Sequence, residues 1–190
     1  YQAAFTESSP VSTFNSGNQI LLNASGSLQI DNRILTYMDN QWKAENEFSW
    51  SDLTGKTNVT AVYPVYPDLD YVQENLYKNN SLEDILYVKD EFPAGNSIHL
   101  QFKHLFSLLT LHLEGNLQTY FQKIEVTCPA VSSIIPKSAE IVLADNGTHT
   151  TTIAQVSPSG NYSFIVPPVG NMVIDGGFNF FEVSMTSSLA

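Results

Sequence analysis

The stretch from Ile98 to Gly115, IHLQFKHLFSLLTLHLEG, is the most apolar in the chain and decides how it folds. Its two halves alternate apolar and polar residues with opposite parity. The apolar positions are Ile98, Leu100, Phe102 and Phe106 in the first half and Leu109, Leu111 and Leu113 in the second. Side chains on a strand alternate between faces, so one regular strand cannot place both sets in one core. At about 3.3 Å per residue it would also span roughly 60 Å, longer than ordinary strands. We therefore predict two half-buried strands separated by a bulge, bend or helical turn near His104–Ser107.

The rest of the chain carries mostly β signals. Short runs rich in β-branched or aromatic residues, most of them bounded by Gly, Asn, Asp, Pro or Ser, occur at 19–22, 27–30, 60–63, 124–127, 139–143 and 162–166. Short strands at roughly ten-residue spacing, with little sign of helix, predict an all-β sandwich. Single helical turns are expected within 68–77 and within 79–86, the latter with Ser81 as N-cap and Asp84 reaching back to it.

Several glycine and proline positions predict turns. Asn146-Gly147 is a strong hairpin signal, because both residues tolerate positive φ. The sequence IDGGFNF at 174–180 predicts a second hairpin, and Pro167-Pro168 should end the strand before them, since proline cannot donate to a ladder. For the same reason YPVYPDLD at 63–70 is expected to be an irregular crossing segment.

The distribution of cationic residues suggests a domain boundary. No lysine or arginine follows Lys137, and the segment SSIIPKS at 132–138 resembles a connection. We predict a larger N-terminal β-sandwich domain over residues 1–130. A smaller or incomplete second β module is expected over residues 131–190.

Charge and composition exclude several classes of partner. Eight Lys and Arg against 19 Asp and Glu give a formal net charge of −11, so nucleic acid and anionic membrane surfaces would be repelled. Cys128 is the only cysteine, which excludes an internal disulfide and a CxxC motif. No run reaches the ~18 apolar residues of a membrane span. No signal peptide is visible, as expected for either a processed exported chain or a cytosolic one.

His104 is the first residue to consider for chemistry, because it lies on the apolar parity with Ser107 close by. A Ser–His pair with no nucleophile elbow and no third member is weak evidence for a hydrolase. We interpret His104 as a buried or half-buried imidazole that is hydrogen-bonded at the strand break. His99, His104 and His112 lack the spacing of a zinc motif.

Asp68, Asp70 and Glu74 form a second candidate site. Paired carboxylates could serve a glycosidase or bind calcium. The sequence DLDYVQE, however, lacks the glycine and alternating oxygen ligands of a calcium loop, so we interpret it as a solvated acidic loop. We therefore predict a protein that is not an enzyme, with no catalytic, cofactor-binding or metal-binding residues and no cofactor.

Glycosylation sequons occur five times, at Asn23, Asn58, Asn79, Asn146 and Asn161. They would carry glycans in a secreted eukaryotic protein. In a chain rich in Asn, Ser and Thr we interpret them as turn chemistry.

Six segments in order resemble the fimbrillin family, the subunits of type V pili in Bacteroidales. They are FNSGNQILL (14–22), LTYMDNQWKAE (35–45, a Tyr-then-Trp hairpin), TAVYPVYP (60–67), DILYV (84–88), IHLQFKHLFSLLTLHL (98–113) and FIVPP (164–168). Asn18 stands where the family more often has aspartate, and Val88 where alanine is common. The lipobox cysteine expected upstream in such proteins does not occur in this sequence, and we expect it to have been removed or to lie outside the chain.

The resemblance implies transthyretin-like, Greek-key β-sandwich domains and export as a lipoprotein to the outer membrane and fimbrium at the cell surface. It also implies a fimbrial subunit or surface adhesin, assembled by donor-strand addition to other pilus subunits, with a host or bacterial receptor or glycan as a further partner. An open sheet edge can accept such a strand. Some family members are cleaved after an arginine; Arg33 is the sole candidate, but NRILTY is more typical of a structural strand.

A carbohydrate-binding β-sandwich module is the alternative function. Such modules stack sugars on exposed aromatic rings, and Trp42, Trp50 and Tyr66 are the candidates. We interpret these aromatics first as core or hairpin packing, and burial of both tryptophans would argue against sugar binding.

Overall fold

The computed structural model describes residues 11–46, 55–94, 97–113, 124–153, 160–168, 172–175 and 180–183, which form fourteen strands and one helical turn. In chain order these are β1 (Gln19–Gly26), β2 (Ile30–Met38), β3 (Gln41–Ala44), β4 (Thr57–Tyr63), α1 (Gln73–Leu76), β5 (Tyr77–Lys78), β6 (Ser81–Leu82), β7 (Leu86–Phe92), β8 (Lys103–His104), β9 (Ser107–Leu113), β10 (Ile124–Ile135), β11 (Glu140–Ile153), β12 (Gly160–Val166), β13 (Met172–Asp175) and β14 (Phe180–Val183). The strands pair antiparallel within their sheets, and apolar clusters pack between the sheets. The predicted all-β sandwich class is confirmed.

The largest sheet has six strands in the order β3-β2-β1-β4-β7-β8. Alternation along β1 supplies both of its faces. Leu21 joins the central cluster, which gathers buried residues from β1, β4, the segment 66–85, residues 105–106, β10 and β12. Ile20 and Leu22 join the outer cluster on the opposite face, together with buried residues of β2, β4 and β7.

Two-residue hairpins occur at pairs of residues with positive φ. The predicted hairpin at 35–45 is confirmed: Asp39 and Asn40 connect β2 to β3 with φ of 54° and 60°. The predicted helical turn at 79–86 is wrong. Asn79 and Asn80, with φ of 49° and 63°, instead connect β5 to β6, because two successive asparagines suit a primed turn better than a helix start. The other predicted turn, within 68–77, is confirmed as α1.

The strand break in the opening stretch is confirmed. His104 ends β8, which pairs with β7 in the six-stranded sheet, and Ser107 begins β9, which pairs with β12 in a different sheet. Leu105 and Phe106 between them are buried in the central cluster. The first strand is shorter than expected, because residues 97–102 make no ladder. Their apolar members still pack on the outer cluster.

A second sheet has four strands in the order β11-β10-β13-β14. The predicted hairpin at Asn146-Gly147 is wrong, because β11 continues through both residues. Pro129 pairs with Thr148 and Val131 with Leu143, so residues 144–147 bulge out opposite one residue of β10. Asn146 does take a positive φ of 55°, so the local preference is met without a chain reversal.

The C-terminal turn predictions agree with the pairing. β13 and β14 form the antiparallel pair that a hairpin at 174–180 requires, and residues 176–179 lie outside the described residues. β12 ends at Val166, immediately before Pro167-Pro168 as predicted.

The predicted domain boundary between residues 130 and 131 lies inside β10. The segment 132–138 belongs to β10 and the turn into β11, with Ile135 paired to Glu140. The central cluster contains residues from both predicted domains, among them Val62 and Ile165. The division into two domains stays a prediction.

The β5–β6 turn is docked onto β11. The Asn80 carbonyl accepts hydrogen bonds from His149 Nε2 at 2.9 Å and Thr151 Oγ1 at 3.2 Å, and Asn80 Nδ2 donates to the Thr150 carbonyl at 3.0 Å. The Tyr77 ring lies 4.1 Å from the His149 ring, centroid to centroid. These contacts join the two-stranded β5–β6 sheet to β11 of the four-stranded sheet.

Candidate strand-accepting edge

β9 and β12 form a two-stranded sheet that covers part of the four-stranded sheet. Their ladder runs without a bulge from Ser107↔Val166 to Leu113↔Gly160. β12 follows the predicted strand at 162–166, and β9 is the second half of the opening stretch. The two strands meet because the break at 105–106 redirects the chain from one sheet to the other.

The inner face of this sheet is apolar. Its residues form the β9–β12 cluster with β10, consisting of Leu109, Leu111, Ile124, Val126, Cys128, Tyr162, Phe164 and Val166. Burial raises the pKa of the Cys128 thiol to about 11, because the thiolate would lose its solvation. The thiol is therefore protonated at neutral pH and acts as an apolar packing group.

The outer face of the sheet is mostly polar. The Thr110 and Ser163 hydroxyls lie 3.4 Å apart, and His112 Nδ1 lies 2.5 Å from Asn161 Oδ1. The exceptions are Leu108, with 48% of its surface exposed, and its pair Ile165, which is buried in the central cluster. A polar outer face and an apolar inner face are typical of an antiparallel sheet with one side in solvent.

The two edges of this sheet differ. β12 packs beside β6. The edge of β9 that faces away from β12 pairs with no other strand among the described residues. An unpaired edge presents a row of N–H and C=O groups that can accept a strand. A strand added there would extend a two-stranded sheet that faces a four-stranded one.

The predicted role of His104 at the strand break agrees with the structure. Its side chain is 48% exposed, and Nδ1 lies 3.0 Å from both carboxylate oxygens of Asp84, which is only 5% exposed. The Val11 N–H donates to the same carboxylate at 2.6 Å. Within the described residues His104 therefore pairs with Asp84 and not with Ser107. The pattern at 79–86 instead predicts Asp84 as part of a helix cap, so this pairing is not apparent from the sequence.

The other titratable candidates are separated from His104. Asp68, Asp70 and Glu74 are exposed around the loop before α1, in agreement with a solvated acidic loop. His99 is exposed beside the outer cluster, and His112 lies on the outer face of β9. The structure does not bring these residues together into one site.

The aromatic candidates for sugar stacking lie in packed environments. Tyr66 is 4% exposed, and its hydroxyl donates to Glu83 Oε2 at 2.6 Å, so it is a packed residue and offers no surface for a sugar. Burial, and secondarily this hydrogen bond, raise the pKa of Tyr66. Trp42 is half-buried with its ring centroid 5.0 Å from that of Phe14. Trp50 lies outside the described residues.

The sequons and Arg33 occupy structural positions. Asn79 and Asn146 have positive φ, as the turn interpretation predicts, whereas Asn23 is buried in β1. Arg33 lies inside β2 and pairs with Leu22, in agreement with its interpretation as part of a strand.

No helix of the described residues is long and apolar enough to cross a membrane. Comparison with protein-family models finds no match, and neither does comparison with curated proteins. Among solved structures, the fold is similar to the crystal structure of "a putative cell adhesion protein from Bacteroides ovatus ATCC 8483". The TM-score is 0.51 at 13% sequence identity, over 90% of this chain and 77% of that chain. This likeness shows a shared fold.

Proposed function

We propose that this chain is a non-enzymatic subunit or adhesin of a bacterial surface fibre, of the fimbrillin type, and that it binds a neighbouring subunit by accepting a strand at the β9 edge. The observation that carries the proposal is the two-stranded β9–β12 sheet, whose β9 edge has no partner strand among the described residues.

The packing below the edge supports strand addition. The inner residues of β9, Leu109 and Leu111, are only half-buried where they pack on the β9–β12 cluster. An incoming strand with alternating apolar residues would cover them and add to the same cluster. Main-chain ladders would supply affinity, and the apolar side chains would supply the register.

Two further observations support a surface role. The six ordered segments resemble fimbrillins, and the similar structure from Bacteroides ovatus is that of "a putative cell adhesion protein". On this proposal the chain is exported to the cell surface and held at the outer membrane by a lipid anchor that lies outside this sequence.

The proposal can be tested by amide hydrogen exchange. The exchange rates of the chain are measured alone and with a synthetic peptide that has the sequence of a neighbouring subunit's terminal strand. Alternate β9 amides that face away from β12 should exchange quickly alone and slowly with the peptide. The unfolding midpoint should rise with peptide concentration, as for any ligand specific to the native state. A peptide N-methylated at alternate residues is the matched control, because it lacks the donors. Equal protection by both peptides, or protection away from β9, would contradict strand addition at this edge.

A further inference from the structure

A polar cleft lies on the face of the six-stranded sheet that also carries the central cluster. The cross-strand row Leu21, Val62 and Tyr87 belongs to that cluster or packs against it. The next two rows towards the end of the sheet are polar: Asn23, Thr60 and Lys89, then Ser25, Asn58 and Glu91. Apolar packing therefore stops after one row, although the three strands continue.

The turn between β10 and β11 closes one side of this polar face. Lys137 Nζ lies 2.6 Å from Asp31 Oδ1, and this ion pair holds the pKa of Asp31 below its usual value. The two polar rows, Asp31, Lys137 and Ser138 line a cleft of about 520 Å³. This volume lies within the range of about 300–1,000 Å³ typical of small-ligand sites.

Asn23 marks the floor of the cleft. It is 5% exposed, and its Oδ1 accepts a hydrogen bond from the Asn32 N–H at 2.8 Å. This bond fixes the orientation of the amide. Nδ2 is buried with no hydrogen-bond partner among the described residues. A buried donor without a partner costs free energy, and native proteins rarely retain one without a ligand or water to accept from it.

The charges around the cleft favour a neutral ligand. Lys137 is paired with Asp31, and Glu91 accepts from Lys56 Nζ at 2.6 Å, while Lys89 lies between these pairs on the same face. An anion would lie beside two carboxylates, and a cation beside the Lys89 and Lys137 ammonium groups. A ligand with many hydroxyls can both accept from the amide and ammonium donors and donate to the carboxylates.

We propose that this cleft binds a neutral saccharide, with Asn23 and Lys89 donating to its oxygens and Glu91 accepting from its hydroxyls. The proposal goes beyond strand addition, because the cleft lies on β1, β4 and β7 and not on β9. It also assigns saccharide binding to polar rows that carry none of the aromatic residues expected from the sequence.

Amide chemical-shift titration of the ¹⁵N-labelled chain tests the proposal. The probes are the methyl glycosides of glucose, galactose, mannose and N-acetylglucosamine, and their β-linked disaccharides. At least one should cause saturable shifts at residues 23–25, 58–60, 89–91 and 137–138. Asn23→Asp, which keeps the acceptor for Asn32 but removes the donor, should weaken binding about tenfold or more.

Lys89→Met should weaken binding to a similar degree, and it keeps the test decisive if Asn23→Asp fails to fold. The matched control is Lys43→Met, which removes an exposed lysine from β3 and should leave affinity unchanged. Three results would overturn the proposal: no saturable shift with any probe, affinity that neither cleft variant changes, or a neutral N-acetylated peptide amide binding the cleft while the saccharides do not. Strand addition is measured separately, by hydrogen exchange at the β9 amides, so failure of one proposal can be distinguished from failure of the other.

Discussion

The carboxylate of Asp84 accepts a hydrogen bond from His104 across the corner where the chain leaves the six-stranded sheet. Nδ1 lies 3.0 Å from each oxygen, and the Val11 N–H approaches the same carboxylate at 2.6 Å. One buried carboxylate thus fixes both the strand break and the chain entering β1. A residue that could be mistaken for a catalytic histidine has a structural partner.

Removal of this acceptor should destabilise the fold. Asp84→Ala leaves the Val11 N–H and His104 without their acceptor, so we expect the free energy of unfolding to fall by about 1–3 kcal/mol in urea titration. His104→Ala should cost less, about 1 kcal/mol, since Val11 still donates to the carboxylate. Ser107→Ala is the control and should change stability by less than about 0.5 kcal/mol. A loss at Ser107 as large as that at Asp84 would contradict this assignment.

Tyr66 should make stability fall at alkaline pH. Burial and the hydrogen bond to Glu83 raise its folded-state pKa above the usual tyrosine value of 10.0. Its contribution is therefore fully present below pH 10 and is lost as the pH rises above that value, because the unfolded state loses the proton first. Tyr66→Phe should reduce stability by about 1.5–3 kcal/mol at pH 7. It should also make the decline above pH 10 shallower, and an unchanged pH profile in urea titrations would refute the prediction.

Gly147 should tolerate no side chain, although it forms no hairpin turn. A Cβ there would lie 2.8 Å from the Ala144 Cβ within the bulge of β11. We expect Gly147→Ala to destabilise the protein by about 1–3 kcal/mol through overpacking. Gly55→Ala is the matched control, because its added Cβ would meet only Ser27 at 4.0 Å. Thermal unfolding of both variants distinguishes these outcomes, and equal midpoints would show that the bulge can relax.

The shared central cluster should make unfolding a single transition. Residues such as Val62 and Ile165, from the two predicted domains, pack in one cluster, and the β5–β6 turn binds β11. We therefore expect the calorimetric and van't Hoff enthalpies of the intact chain to agree. Two separated transitions would instead support the predicted division at residue 130.

The periodicities in the sequence predicted the features that depend on neighbouring residues. The parity change at 98–113 placed the strand break, because alternation along a strand is a local property. The strand end at Pro167-Pro168 followed from a local backbone preference in the same way, whereas the hairpin at 35–45 was predicted from the family resemblance. The resemblance of FKHLFS to a family motif was compatible with a structural role for His104.

Tertiary structure decided which structure each local preference forms and which residues that structure contacts. Asn146-Gly147 could support a hairpin or a bulge, and the continuous pairing of β11 with β10 selected the bulge. The Asn79-Asn80 turn follows from a local preference, but its docking on β11 through Asn80 depends on the folded chain. The polar cleft and the His104–Asp84 pair were not predicted, since their residues are far apart in sequence. Alternation and φ preferences act over a few residues and are readable locally. Sheet order and burial depend on contacts between distant segments, and only the folded chain determines those.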